Sequence, residues 1–372
     1  MLKILCALML FVGAARAGDL YKSGDSPLAV TVVDADWRDE ARGRDVPVRM
    51  YVPKAEGDRK FPLIVFSHGL GASREMYGYF GKHMAEAGYI VIAPTHHGSD
   101  TEALRAWAKK NGFGKKNEEG EGWLQAGISD PDNLRNRPKD ISFVIDRAGK
   151  EPKLAGIVDM DRIGVSGHSF GAYTAMVIGG MTVDLPEAKG VSFRDPRVRA
   201  VLPMSPEGSG VMGITRDSWN AFGAPGLFLT GTKDYGSGGR AASWRREAFD
   251  SVRGVDDYLF TIEGAGHMTF GGSGTSAALG GSGSGDEGTD AKGGKTIRDR
   301  IREKVRDRVR EKSAEKSGGL DPDIQQHAVM VESYSAAFFD AYVRDNPVAK
   351  AWLTEYASQK HEDCAAEFKP GK

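Results

Sequence analysis

Gly167-His168-Ser169-Phe170-Gly171 stands between a largely apolar run, Arg162 to Ser166, and a helix-like run, Ala172 to Ile178. Where a strand turns sharply into a helix, a serine at the apex adopts a strained backbone and presents its hydroxyl outward. That turn needs small residues on both sides. Glycines 167 and 171 supply them. A strand-to-helix loop in any α/β protein can carry the same five letters, so the surrounding chain has to decide between the two readings.

About a hundred residues upstream, the apolar strand Phe61-Pro62-Leu63-Ile64-Val65-Phe66 ends in Ser67-His68-Gly69-Leu70-Gly71. Acyl transfer needs two preorganised N–H donors where a carbonyl oxygen becomes negative, and backbone turns can supply them. One donor is the residue after the serine and the other comes from the turn after this strand, which names Phe170 and Leu70. His68 reads as a residue that orients the turn. A metal site with His96 and His97 lacks the carboxylate or cysteine company such sites show.

A helix over Ser73 to Gly88 and a strand over Tyr89 to Pro94 follow. His96-His97-Gly98-Ser99-Asp100 then falls at the strand edge where open α/β sheets bind ligands. His97 is thus a candidate substrate contact, with a solvated loop as the alternative. Thr101 to Asn136, carrying Trp107 and Trp123, reads as a long polar connection of the kind that forms lids or pocket walls. Two antiparallel strands precede all of this, around a polar turn at Glu40 to Arg44.

Downstream, Arg137 opens a helix, and strands are expected at Val198 to Met204, Gly226 to Thr230 and Tyr258 to Ile262, making a mostly parallel sheet of about eight strands flanked by helices. In a chain built around such a serine the acid follows it and the histidine comes last. Asp234, just past a strand end, is the candidate acid, and Glu207, past the preceding strand, is its rival. His267, in the small-residue loop Gly264-Ala265-Gly266-His267-Met268, is the candidate base, and His327, in a helix-like stretch, is the weaker one.

Phe66 to Arg74, the strand to Pro94 and Gly167 to Gly171 together resemble the family of predicted dienelactone hydrolases and platelet-activating-factor acetylhydrolases, over most of residues 45 to 270 and again 321 to 355. The resemblance implies an α/β-hydrolase fold, no cofactor, and a Ser/Asp/His ester hydrolase with oxyanion donors at Leu70 and Phe170. Dienelactone hydrolases proper use a cysteine nucleophile, whereas this chain has Ser169. The acetylhydrolases place their acid after the strand corresponding to Val198 to Met204, where this chain reads Pro203-Met204-Ser205-Pro206. Reaction class therefore carries over better than substrate, and short-chain or compact esters are expected.

The whole chain has 372 residues, 40% hydrophobic and 27% charged, with a formal net charge of -1. That is enough to bury a large core, and nothing in the global charge points to nucleic acid. Lys3, the apolar run Ile4 to Val12 and Ala15-Arg16-Ala17 read as a signal peptide, residues 1–17, cleaved after Ala17 for export. Cleavage removes Cys6 and leaves Cys364, read as part of a polar tail.

Residues 18–372 are then one α/β domain carrying a flexible, basic helical insertion at about 271–320. Lys292 to Lys316 holds eleven basic and five acidic residues. Ile297, Ile301, Val305 and Val309 recur every four residues, so this row drifts around a helix and suits burial poorly. A solvated, salt-bridged helix on a tether is favoured there over an arm for anionic surfaces, and membrane contact is not favoured. Two rival functions remain: a catalytically dead binding protein on the hydrolase fold, and an envelope-interaction protein led by residues 292–316. No metal is expected, and the expected partner is a small-molecule ester.

Overall fold

The computed structural model describes residues 20–24, 26–54, 57–112, 115–118, 120–271 and 322–371. The signal-peptide reading, Cys6 and the inserted segment beyond Gly271, with its basic stretch 292–316, lie outside the described residues.

Among the described residues, nine strands form one sheet in the order β1-β2-β4-β3-β5-β8-β9-β10-β11. They are β1 Val30–Asp39, β2 Arg44–Pro53, β3 Phe61–Ser67, β4 Ile90–Pro94, β5 Val158–His168, β8 Val198–Met204, β9 Gly226–Lys233, β10 Asp257–Gly266 and β11 Cys364–Lys369; β6 Val183–Leu185 and β7 Ala188–Val191 form a separate hairpin. The six strands from β4 to β10 in the sheet run parallel. β1 and β2 close one side and β11 the other, antiparallel.

Period-two alternation explains the two packed layers. In β3, Phe61, Leu63 and Val65 enter one core, with helices Pro131–Ala148 and Phe170–Gly179. Ile64 and Phe66 enter the other, with helices Gly78–Glu86, Pro322–Tyr342 and Pro347–Ser358. Because both faces are covered, the parallel strands read as continuous apolar runs.

Four expectations need correction. Thr101 to Asn136 is largely helical: Thr101–Asn111 is capped by the Asp100 side chain, and Trp123–Ser129 follows. The first of these helices buries no residue fully; its apolar side chains, Leu104 and Trp107 among them, are half-buried. The next helix begins at Pro131 and not Arg137, with Pro at its first position and Asp130 as cap. It carries Pro138 inside, which frees the Leu134 carbonyl four residues back; the Tyr173 hydroxyl donates to that oxygen at 3.2 Å.

The helix expected from Ser73 starts only at Gly78, after Tyr77 with φ 63°. Finally, the supposed polar tail is β11, paired with β10 from Asp257↔Lys369 to Ile262↔Cys364. Cys364 is buried there, and burial pushes its thiol up to about 12.

Asp257, at the start of β10, is fully buried, and neither carboxylate oxygen has a hydrogen-bond partner among the described residues. Burial raises it to about 8. The folded state therefore holds a proton that the unfolded chain releases near pH 4. Stability from this group is complete below about pH 4 and is lost as pH rises toward 8. Asp257→Asn, which mimics the protonated form, is expected to raise the melting temperature by several degrees at pH 8 and by little at pH 4. An equal gain at both pH values would contradict a buried, protonated carboxyl.

Candidate active site

β5 and its two parallel neighbours deliver the central turns. Pairing of Phe66↔Ser166 and Ser67↔Gly167 sets the ends of β3 and β5 side by side, so the Leu70 turn and the Ser169 turn emerge together. Ser169 has φ 56° and ψ -119°, and the helix begins at the next residue. A Cβ on Gly171 would lie 1.9 Å from the Ser67 carbonyl oxygen, and one on Gly167 would lie 2.3 Å from that of Gly171. Only glycine lets the two turns approach this closely.

The Ser169 hydroxyl lies 3.0 Å from His267 Nε2, and His267 Nδ1 lies 3.0 Å from Asp234 Oδ1. Asp234 is inaccessible to solvent and His267 is one-third exposed. The Thr230 hydroxyl donates to the second Asp234 oxygen at 3.1 Å. Burial works to raise the Asp234 pKa, but the His267 hydrogen bond and the Arg245 charge outweigh it, and the net shift is downward. Asp234 is therefore ionised and can only accept, which assigns the Nδ1 proton to His267 and leaves Nε2 free to accept from Ser169.

Glu207 is shifted the other way, upward, mainly by burial. Its carboxylate takes Arg245 Nη1 at 2.6 Å and does not contact His267. His327 is remote from the serine: its Nε2 meets the Glu263 carbonyl at 2.9 Å. The backbone N–H groups of Leu70 and Phe170 have no acceptor among the described residues. Leu70 packs against Gly127, while Leu104 and Trp123 sit against Gly71, so helices Thr101–Asn111 and Trp123–Ser129 cover this turn. His97 is not brought to the serine. It pairs with Asp100 at 3.0 Å, a hydrogen bond that raises its pKa, in a mixed cavity shared with Arg74, Thr95 and Arg105.

Sequence reasoning missed the groups that hold these loops. The Gly69 N–H donates to the Tyr77 hydroxyl (3.1 Å), which donates in turn to His168 Nδ1 (3.0 Å), and His168 Nε2–H donates to the His267 carbonyl (2.9 Å). This strut joins the Leu70 turn to the His267 loop. Burial, and then the nearby His267, depress His168 to about 3, so the strut is built of uncharged groups.

Beneath the turn, Arg137 is wholly buried. It donates to Ser67, His68, Ser99 and Thr174 and stacks 4.4 Å from the Phe170 ring centroid. His68, its imidazole kept neutral by burial, accepts the His96 N–H.

A second serine–histidine–aspartate array lies deeper. Ser67 Oγ is 3.0 Å from His96 Nε2, and His96 Nδ1 is 3.0 Å from Asp140. All three are buried, Ser67 also accepts from Arg137, and Asp140 is paired with Arg42 and Arg44. No substrate carbonyl can reach it, so hydrogen-bond distances alone do not mark a reactive serine. Ser169 differs in standing at a strained, accessible strand-to-helix turn over a mostly parallel sheet.

The mostly parallel nine-stranded sheet flanked by helices is an α/β-hydrolase fold. Within this α/β-hydrolase, residues 45–137 match the family model described as platelet-activating factor acetylhydrolase, isoform II. The platelet-activating factor acetylhydrolase of Cavia porcellus is 29% identical over 158 residues, 35% of this chain and 34% of that protein. That of Bos taurus is 30% identical over 142 residues, 32% of this chain and 31% of that protein. Esterase YjfP of Escherichia coli (strain K12) is 27% identical over 168 residues, 44% and 53% of the two chains. The matches thus span about a third of the length of the acetylhydrolases.

Proposed function

We propose that this protein is an exported serine hydrolase that cleaves carboxylic esters through an acyl-enzyme. Ser169 attacks the ester carbonyl, and His267 takes its proton and returns it to the leaving alcohol. Asp234 holds the imidazole and offsets its charge, and the Leu70 and Phe170 N–H groups receive the oxyanion. Water, deprotonated by His267, then releases the acid. The Ser169–His267–Asp234 alignment carries this reading, and the esterase and acetylhydrolase names of the relatives agree with it. Export rests on the Lys3 to Ala17 pattern, and the domain reading on residues 18–372 with 271–320 as an insertion.

Because His267 must be uncharged to accept a proton, turnover of p-nitrophenyl acetate should fall on the acid side of its pH profile. A rate flat from about pH 5 to 8 would remove histidine from the mechanism. The two helices over the Leu70 turn favour short or compact acyl groups, so kcat/KM across a nitrophenyl ester series should peak at the short chains. A maximum at long chains would replace this with a lipase reading.

A further inference from the structure

Arg245 lies in the short 3₁₀ turn Ala242–Arg246 and is almost completely buried. Its guanidinium ties together the loops after β8 and β9. Nη1 donates to the carbonyls of Ser205 (2.9 Å) and Pro206 (3.2 Å) and to Glu207 (2.6 Å). Nε donates to the Asp234 carbonyl at 3.0 Å and pairs with its carboxylate at 2.7 Å. Nη2 donates to the Tyr235 carbonyl at 3.1 Å and stands 3.0 Å from His267 Nδ1.

Both places from which an acid could serve the imidazole, after β8 and after β9, thus meet one cation. Asp234 is presented to His267, whereas Glu207 is held on the far branch of the fork. The guanidinium charge stands beside the ring, with Nη2 3.0 Å from Nδ1, so it opposes the positive charge that a second proton, on Nε2, would bring.

We propose that Arg245 is a positioning residue of this site: one guanidinium fixes Asp234 under His267, withholds Glu207 from it, and opposes protonation of the imidazole. The proposal rests on the serine-hydrolase reading above. Among the described residues, the charged and titratable groups facing His267 are Asp234 from the β9 loop, Arg245 from its 3₁₀ turn, Glu207 behind the guanidinium from the β8 loop, and His168 from the end of β5. The opposite directions in which Asp234 and Glu207 are shifted agree with a device that separates the two acids.

The test is the pH dependence of kcat/KM on p-nitrophenyl acetate for the full chain. Removing the cation in Arg245→Gln should move the acid limb to higher pH by about one unit. Arg245→Lys keeps the charge but loses the planar fork. It should hold the limb within about 0.3 unit while kcat falls about 10- to 100-fold at little change in KM. A limb that stays in place in Arg245→Gln, or wild-type kcat in Arg245→Lys, would overturn the proposal and leave Arg245 as a structural tie. If the glutamine variant does not fold, the lysine variant decides on kcat alone. Ser169→Ala separates the two levels: turnover surviving there removes the hydrolase reading itself, whereas its loss alongside unmoved Arg245 profiles removes only the positioning role.

Discussion

Ser169→Ala is expected to lower kcat on nitrophenyl esters by about a millionfold, to the residue of catalysis that binding and oxyanion donors alone provide. The fold should be retained, because alanine at φ 56° carries the strain that serine already bears and the buried framework below is untouched. A fluorophosphonate probe should label the wild type at Ser169 and leave the variant unlabelled. Ser67 provides an internal control, since its own histidine and aspartate are equally close but sealed from solvent. A probe adduct on Ser67, or full turnover in Ser169→Ala, would mean that the wrong serine has been assigned.

Asp234→Asn should cost about 10⁴-fold in kcat, the scale on which a triad loses activity when its histidine is left in the wrong tautomer. The amide can donate to Nδ1, which sends the ring proton to Nε2, where it faces Ser169 and blocks proton acceptance. Arg245 reinforces that tautomer, because its Nη2 is already placed to donate to Nδ1. Glu207→Gln should cost less than about tenfold, since Glu207 contacts the guanidinium and not the imidazole. If kinetics ranked the two variants in the reverse order, the acid would have to be reassigned to the loop after β8.

These side chains differ in how far the sequence announces them. Ser169 is legible because the turn that holds it is local: its two glycines are demanded by backbone contacts within the neighbouring strand ends. Asp234 and His267 each follow an apolar strand directly, so β9 and β10 point to them, and the structure sets them within hydrogen-bond range of each other and of Ser169. The preference for Asp234 over Glu207 rests on strand-end position alone in the sequence, because both follow buried strands; the contact with the imidazole belongs to Asp234 and that with Arg245 Nη1 to Glu207.

Arg245 has no sequence signature, since its partners come from two loops and its neighbours Trp244 and Arg246 show no period. The helices at Thr101–Asn111 and Trp123–Ser129 are short and bury little, which leaves only a weak core-facing pattern to read. β11 was hidden because its pairing with β10 joins segments far apart in the chain. For His97, a strand-end position points to the ligand-binding edge of the sheet, while the partner its ring takes, Asp100 three residues on, is given only by the structure.

The backbone strain has a consequence for engineering this protein. Among the described residues, the non-glycine residues with positive φ are Tyr77, Ser169, Ser205, Met212 and Asp345. Tyr77 anchors the strut, Ser169 stands opposite His267, and the Ser205 carbonyl accepts from Arg245. Relaxing any of these to glycine would trade about 1 kcal/mol of local strain for a side chain or loop geometry on which the site depends. A search for hardier variants is better directed to Asp345, which is exposed in its pairing with Arg199 and lies beside the short link between the last two helices. Durability and activity can therefore be selected separately, provided that libraries leave the strained serine edge alone.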